Sequence, residues 1–281
     1  MARQYCSQLN SAESMWGTAA QVDVWLLLEY KTAWQAKVLA DNDLAEQTRN
    51  WLAQSISRLS DAGYKVRPQF VRQPELDRDD SRLLVAVSER LLEFSGTGYD
   101  FLQSLDLLEI VQNARTYPQL EQPRYFVCTN GQRDMCCSRF GLPSYAALRE
   151  RLGDRVWQVS HLGGHRFAPN VLVLPAGVLY GRVDVEYVSE FLQATESNTL
   201  DFSRLRGRSR YPAHVQAAEA SLGVSGMKLL HVTGDDTAAE VTFATPQESL
   251  KVAVQRATQA LPVLKSCGDD DAQPMYPYSR V

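Results

Sequence analysis

The sequence predicts an α/β protein whose first 200 residues form two similar halves, each written here as a βαββα unit. Three observations predict this class. Apolar, β-branched runs alternate with stretches of helical periodicity, a linker with prolines at 118 and 123 divides the region, and the order of elements is the same on both sides. We therefore expect domains over residues 1–118 and 119–200, followed by a C-terminal extension over residues 201–281.

The first half opens with the continuous apolar run VDVWLLLEY, which predicts a buried strand over residues 22–30. A helix follows over about residues 42–62, where Asp43 and Glu46 resemble a capping box. A second helix over about residues 100–114 ends the half. Between the helices lie three strand candidates, residues 64–73, 82–90 and 91–98.

The second half shows the same order. The run RYFVCTN predicts a strand that carries Cys128, and SYAALRERLG predicts a helix that begins after Pro143. RVWQVSH predicts a strand that ends on His161, and a hairpin and a helix follow over residues 170–184 and 184–197. A βαββα unit is the core of the thioredoxin-like fold, so we predict two tandem thioredoxin-like halves in one compact unit.

Four alternating arginines begin the extension, and the sequence leaves two interpretations of them open. One is a solvated loop with surface ion pairs, and the other is a docking surface for an acidic protein or an anion. The arginines are Arg204, Arg206, Arg208 and Arg210. The rest predicts helices over residues 214–221 and 246–261, strands over residues 228–234 and 239–245, and an irregular acidic tail.

Composition restricts the classes of function. The 281 residues carry a net charge of −4 and have a pI near 5.7, so nothing requires nucleic acid as a partner. No apolar run approaches the roughly 20 residues that span a bilayer, and the N-terminus lacks a signal peptide, so we expect a cytoplasmic protein without a membrane partner. In a reducing compartment, five unevenly spaced cysteines indicate metal binding or redox chemistry rather than a disulfide framework.

One segment of under forty residues holds three of the five cysteines and two of the four histidines. Neighbouring strands end at a common edge of a sheet, so side chains distant in sequence can converge there on one metal site. Thiolate sulfur and imidazole nitrogen serve both zinc sites and mixed iron-sulfur centres, and the eight residues between the first and third cysteine exceed the roughly two to four of classical zinc sites. From the residues alone, an iron-sulfur centre, a zinc site and a site without metal all stay open. The candidate ligands are Cys128, Cys137, His161 and His165.

Several neighbours of these ligands are candidates for supporting roles. Gly163 and Gly164 separate the histidines and allow positive φ angles and a close backbone approach to a cofactor. Asp134 is expected to cap the loop that leads into the helix, with a hydrogen bond from a ligand histidine as the alternative. Arg166 either lies near the metal centre and favours its reduction or is an ordinary surface arginine.

The adjacent pair Cys136 and Cys137 has its own alternative. Two thiols can work in disulfide exchange when one has a lowered pKa, although the usual Cys-x-x-Cys arrangement is absent. We expect one of the two to be a ligand and the other a bystander. Cys6 and Cys267 stay unassigned, and they would approach each other only if the chain ends meet.

Two long motifs, with two shorter ones, resemble the sucrase/ferredoxin-like family, also described as thioredoxin-like ferredoxins. The long motifs are CTNGQRDMCCSRFGLP and VSHLGGHRFAPNVLVLPAGVLYGR, and the shorter ones are WGTAAQVDVWLLLEY and the RGRS region. The resemblance extends from about residue 6 to about residue 220. It implies a thioredoxin-like domain that holds a [2Fe-2S] cluster through two cysteines and two histidines. By motif these are Cys128, Cys137, His161 and His165, with Cys136 on a position that is not a ligand.

The resemblance implies an electron-transfer protein rather than a catalyst, with a redox protein as a partner that the sequence does not identify. Sucrose hydrolysis is not supported, because the paired carboxylates of a glycosidase do not occur in a recognisable context. Two other classes stay open. One is a thiol-disulfide oxidoreductase using Cys136 and Cys137, and the other is a non-redox interaction module that binds zinc in place of the cluster. The use of Cys136 in place of Cys137 as the ligand also stays open.

Overall fold

Two groups of strands with the same internal order form the large sheet of this protein. A computed structural model describes residues 4–281. After a short helix α1 (Cys6–Leu9), the elements of the first half are β1 (Val24–Glu29), α2 (Glu46–Asp61), β2 (Val66–Arg72), β3 (Asp80–Val87), β4 (Arg90–Thr97) and α3 (Leu107–Gln112). β1 and β2 are parallel, β3 pairs antiparallel with β1, and β4 pairs antiparallel with β3.

The second half repeats this arrangement. Its elements are β5 (Arg124–Cys128), α4 (Met135–Leu152), β6 (Val156–Val159), β7 (Val171–Leu174), β8 (Val178–Tyr180) and α5 (Val188–Glu196). β5 and β6 are parallel, and the hairpin of β7 and β8 pairs antiparallel with β5 through β7. Each half therefore has three strands after its first helix, a parallel strand and a hairpin, as the individual predicted elements have, and the formula βαββα omits one of these strands.

The two halves join through the edges formed by β2 and β6. These strands pair antiparallel, with Val71 opposite Val159, and the Ser160 N–H donates to the carbonyl oxygen of Phe70 at 2.9 Å. A further strand, β9 (Leu205–Arg208), pairs with β8 at the other edge. The result is a nine-stranded mixed sheet with the order β4-β3-β1-β2-β6-β5-β7-β8-β9.

Successive side chains of a strand point to opposite faces of the sheet, so the core is divided into clusters on the two faces. In the first half, α2 and α3 cover Val24, Leu26 and Leu28 of β1. In the second half, α4 and α5 pack over Tyr125 and Val127 of β5. The opposite face carries one cluster that contains residues of both halves, among them Trp25, Leu27, Phe126, Trp157 and Leu172. The halves therefore share a core.

The C-terminal extension forms a separate sheet on which α6 (Ala213–Leu222) packs. Its strands β10 (Lys228–Gly234), β11 (Ala238–Ala244), β12 (Ser249–Arg256) and β15 (Tyr278–Arg280) lie in the order β10-β11-β12-β15. A small two-stranded sheet contains β13 (Leu261–Val263) and β14 (Gln273–Met275). The predicted helix over residues 246–261 and the predicted irregular tail are therefore wrong.

Two predicted helix starts also differ from the structure. α4 begins at Met135 and passes through Pro143, which we took as its boundary. α2 begins after Ala45 without a side-chain cap, and Asp43 instead accepts a hydrogen bond from the Tyr30 hydroxyl at 2.6 Å. Within residues 4–281, the structure contains no helix with the length and apolar character that crossing a bilayer requires.

Candidate metal centre

Cys128 and Cys137 face each other because helix α4 starts directly above the end of strand β5. Cys128 is the last residue of β5, and Cys137 lies in the first turn of α4, where Asp134 is the N-cap. Gly141 permits the contact, since a Cβ atom there would lie 2.2 Å from the carbonyl oxygen of Cys128. The two sulfur atoms are 3.6 Å apart, and both side chains are buried.

The two histidines lie on the loop that follows β6, next to these thiols. Gly163 and Gly164 have φ angles of +80° and +71°, so the loop uses the left-handed conformations that the double glycine predicts. The imidazole rings of His161 and His165 stack with centroids 4.8 Å apart. Nδ1 of His165 lies 3.3 Å from Sγ of Cys137, so all four predicted ligands form one contiguous group.

The protonation of this group follows from its burial and its internal contacts. Interaction with the Cys137 thiol lowers the pKa of Cys128 well below its usual value despite burial, and contacts with the His161 ring and the Leu162 amide lower it further. The Cys128 thiolate in turn raises the pKa of Cys137. Burial lowers the pKa of His165, which favours the neutral imidazole that can act as a ligand.

Arg206 holds the histidine loop in place. Its guanidinium donates to the carbonyl oxygen of Gly163 at 2.9 Å, to Oδ1 of Asn170 at 2.8 Å and to the carbonyl oxygen of Thr18 at 2.7 Å. A Cβ atom on Gly164 would lie 2.6 Å from this guanidinium, so the second glycine is required by close packing as well as by its φ angle. Arg206 thereby connects β9 to the histidine loop and to the N-terminal segment.

The interpretation of the arginine run as a solvated loop is wrong. Arg204 and Arg206 are buried, and Arg208 pairs with the buried carboxylate of Glu219 at 2.7 Å in β9. Arg210 alone of the four is exposed. The sequence could not distinguish these two structures, because arginines can alternate in the same way in a covered edge strand and in a loop exposed to solvent.

A second cation near the site comes from the first half. Arg67 of β2 lies over the ring of Trp25, with its guanidinium carbon 5.6 Å from the ring centroid. Burial lowers the pKa of Arg67, while the charge of Cys128 raises it. The first half also contributes residues 36–40, which line a surface cavity of about 240 Å³ beside His161. Sequence reasoning missed both contributions, because they depend on the junction between β2 and β6.

Arg166 and Asp134 have defined partners. Arg166 is buried and forms two hydrogen bonds to the carboxylate of Glu13, at 2.6 and 2.9 Å, so its interpretation as a surface arginine is wrong. Asp134 caps α4 through a 2.8 Å hydrogen bond from the Cys136 N–H, as its structural interpretation predicts. Its other carboxylate oxygen accepts from the Cys267 N–H at 2.9 Å.

The adjacent cysteines point to different groups. Cys137 belongs to the group with Cys128, whereas Sγ of Cys136 lies 3.5 Å from Sγ of Cys6 and 3.2 Å from Sγ of Cys267. Cys136 is fully buried and Cys137 is 1% exposed, which does not suit thiols that must attack a disulfide of another protein. The ligand atoms of Cys6, Asp134, Cys136 and Cys267 all lie within 4.8 Å of one another, an arrangement that could hold a metal ion.

Fold and side chains together define a mixed α/β protein with clustered thiols and imidazoles. The model of the family described as sucrase/ferredoxin-like matches residues 15–207, and the chain belongs to this family. No curated protein sequence matches the chain.

Among solved structures, the chain is similar to a thioredoxin-like [2Fe-2S] ferredoxin from Aquifex aeolicus. The two are 20% identical, the match covers 33% of this chain and 97% of that one, and the TM-score is 0.30. A cysteine-to-serine variant of the same ferredoxin is also similar, at 20% identity, with 30% of this chain and 97% of that chain covered and a TM-score of 0.27.

Proposed function

We propose that this protein transfers electrons with a [2Fe-2S] cluster held by Cys128, Cys137, His161 and His165. The observation that carries the proposal is the position of Cys137, whose sulfur lies 3.6 Å from Sγ of Cys128 and 3.3 Å from Nδ1 of His165. Two thiolates and two imidazoles are a donor set that mixed-ligand [2Fe-2S] centres use.

The histidine nitrogens support the same donor set. Nδ1 of His161 is buried and lacks a hydrogen-bond partner among residues 4–281, a cost that a bound metal would remove. Nδ1 of His165 already faces Cys137. We therefore infer that both histidines bind through Nδ1 and that Nε2 of each ring is the nitrogen available for a hydrogen bond to a neighbouring group.

The residues around the site also bear on the redox potential of the proposed carrier and on the access of water to its thiolates. When bound, such a cluster accepts and returns one electron at a potential above that of all-cysteine ferredoxins, because neutral imidazoles replace two thiolate charges. Arg67 and Arg206 keep positive charge near Cys128, which favours the state with one more negative charge. The buried apolar residues around Cys128 and Cys137 limit the access of water to the thiolates.

The proposal extends to the organisation of the chain. Residues 1–118 and 119–200 form two thioredoxin-like halves, the second half supplies all four ligands, and residues 201–281 form an extension that anchors the histidine loop through Arg206. A cytoplasmic redox protein is the expected partner. The parallel pair and the hairpin in the same order within each half support this assignment.

Anaerobic purification tests the proposal directly. We expect a brown protein with about two irons and two sulfides per chain, as the [2Fe-2S] formula requires, and an electron paramagnetic resonance signal after reduction by one electron. Cys137→Ser should lose most of the iron, whereas Ser138→Ala, at the next position of the same helix, should retain it. A colourless protein with zinc bound by Cys128 and Cys137 would contradict the proposal.

Exchange of a histidine for cysteine tests the donor set. His161→Cys should keep the cluster and lower its potential by on the order of 100 mV, because a thiolate adds negative charge where an imidazole was neutral. His214→Cys, on α6 and outside the group, should leave the potential unchanged. Protein-film voltammetry measures both variants, and an unchanged potential in His161→Cys would remove His161 from the donor set.

A further inference from the structure

We propose that the protein has a second, structural metal site, in which Zn²⁺ is bound by Cys6, Cys136, Cys267 and Asp134. None of these residues belongs to the proposed cluster site. The three thiols come from helix α1, from the first turn of α4 and from the segment after β13, so the site would join both ends of the chain to the second half.

The distances fit a tetrahedral ion. The sulfurs are separated by 3.5 Å between Cys6 and Cys136, 3.2 Å between Cys136 and Cys267, and 3.6 Å between Cys267 and Cys6. Ligands at about 2.3 Å from a tetrahedral zinc ion lie about 3.8 Å from one another. The three sulfur–sulfur distances therefore need to lengthen by about 0.2 to 0.6 Å to receive the ion.

Hydrogen-bond donors already point at these sulfurs. The Cys6 N–H donates to Sγ of Cys267 at 3.4 Å, and the Ser7 hydroxyl donates to Sγ of Cys136 at 3.3 Å. Cys136 also lies in the first turn of an 18-residue helix, where the positive end of the helix dipole favours a thiolate. Such contacts stabilise metal-bound thiolates and orient them.

Asp134 supplies the fourth donor. Oδ1 accepts from the Cys136 N–H at 2.8 Å, and Oδ2 accepts from the Ser266 hydroxyl at 2.7 Å and from the Cys267 N–H at 2.9 Å. These bonds fix the carboxylate beside the thiols, with its ligand atom within 4.8 Å of every sulfur. A carboxylate has about four lone-pair sites, and these three hydrogen bonds use two on Oδ2 and one on Oδ1, so Oδ1 retains capacity for a metal.

A zinc ion also explains why three thiols meet here. A disulfide would use two of them and leave the third buried without a partner, whereas three thiolates and a carboxylate complete a structural zinc site. The apolar cluster at this place has three buried members, Cys6, Cys136 and Ala168, and its other members are only partly buried. Binding replaces three S–H bonds by three Zn–S bonds and releases three protons to solvent.

Metal analysis of the full-length protein tests the site. We expect one zinc per chain, and we expect Cys6→Ser and Cys267→Ser to lose it while they keep the iron and the visible spectrum. Cys128→Ser should lose the iron and keep the zinc. A failure of the cluster proposal therefore gives a different result from a failure of the zinc proposal. Zinc that persists in both serine variants, or iron lost in place of zinc, would overturn the assignment, as would an intact mass that shows a disulfide among these cysteines.

A second pair of variants replaces a capping aspartate by asparagine, which removes the carboxylate charge but keeps a residue that can cap the helix. Asp134→Asn keeps a good N-cap residue and should weaken zinc binding at least about tenfold in competition with a chromophoric chelator. Asp106→Asn is the matched control, because Asp106 caps α3 in the same way and lies away from the thiols. Equal zinc affinity in the two variants would exclude Asp134 as a ligand.

Discussion

Arg206 shows how a single side chain determines the geometry of the histidine loop. It is 2% exposed, and its nearest partners are carbonyl, amide and hydroxyl oxygens rather than a carboxylate. Burial lowers its pKa, and the neighbouring cations Arg166 and Arg67 lower it further. The planar guanidinium is suited to this place because it donates several hydrogen bonds in fixed directions, which an ammonium group does not.

We expect Arg206→Lys to destabilise the protein by about 2 kcal/mol, because buried acceptors at Thr18, Gly163 and Asn170 lose their donor. The loosened loop should also release iron faster during dialysis against a chelator. Denaturant unfolding and iron retention measure the two effects.

Arg210→Lys provides the control from the same run of arginines. Arg210 is exposed and pairs with Glu89 at the surface, so its replacement should change the free energy of unfolding by no more than about 0.5 kcal/mol. Equal losses in the two variants would show that Arg206 has no special role in the loop.

Residue types and spacing singled out two thiols and two imidazoles that lie near one another in the structure, but not the group of Cys6, Cys136 and Cys267. Cys128 ends β5 and the two histidines lie on the loop after the neighbouring parallel strand β6, while Cys137 lies in the first turn of α4, which follows β5. The roles of Arg166 and Arg206 could not be predicted, because burial of a cation depends on partners more than 150 positions away in one case and more than 180 in the other.

At the scale of the element, the contact between α4 and β5 sets the separation of the two thiols. Gly141 lies one turn after Cys137 on the face that touches β5, and the carbonyl oxygen of Cys128 occupies the place of its missing side chain. A methyl group there would force the helix away from the strand.

We expect Gly141→Ala to cost about 1–3 kcal/mol by overpacking and to lower iron occupancy, because Cys137 would move away from Cys128. Leu142→Ala, at the next position and 43% exposed, should change stability by no more than about 0.5 kcal/mol. Circular dichroism during unfolding measures the stability of the two variants, and iron analysis measures their occupancy. Full iron occupancy in Gly141→Ala would contradict a tight contact between α4 and β5.

Two elements show where local sequence signals were insufficient. Pro143 predicts the start of a helix, because proline disrupts a helix interior, but α4 begins eight residues earlier and continues through it. The sequence predicts a helix over residues 246–261 although Leu250, Val252 and Val254 recur at every second position of β12. The pairing with β11 that selects the strand is a tertiary contact.

At the scale of the molecule, the core cluster common to both halves makes them one folding unit. Leu27 of β1 and Leu172 of β7 belong to the same cluster although the predicted domain boundary separates them. The backbone pairing between the halves is short, with two residue pairs between β2 and β6. The side chains of the cluster, more than the sheet hydrogen bonds, therefore hold the halves together.

We expect Leu27→Ala, at a fully buried position, to cost about 2–5 kcal/mol and to shift unfolding of both halves equally. Far-ultraviolet circular dichroism reports on the whole chain, and visible absorbance would report on the proposed cluster in the second half. The two transitions should coincide in the variant. Leu230→Ala, 53% exposed on β10, is the control and should leave both transitions in place. Separate midpoints would contradict a shared core.

Because Cys136 and Cys137 are adjacent, the proposed cluster site and the proposed zinc site both depend on the orientation of one helical turn. Successive helical residues are rotated by roughly 100°, so neighbouring sulfurs leave the axis in different directions and reach different groups. Deleting a single residue between Asp134 and Gly141 would turn both sulfurs away from their partners at once. The proposed cluster ligand Cys137 and the proposed zinc ligand Cys136 thus depend on the orientation of the same helical turn, so a change of register there would disturb both proposed sites.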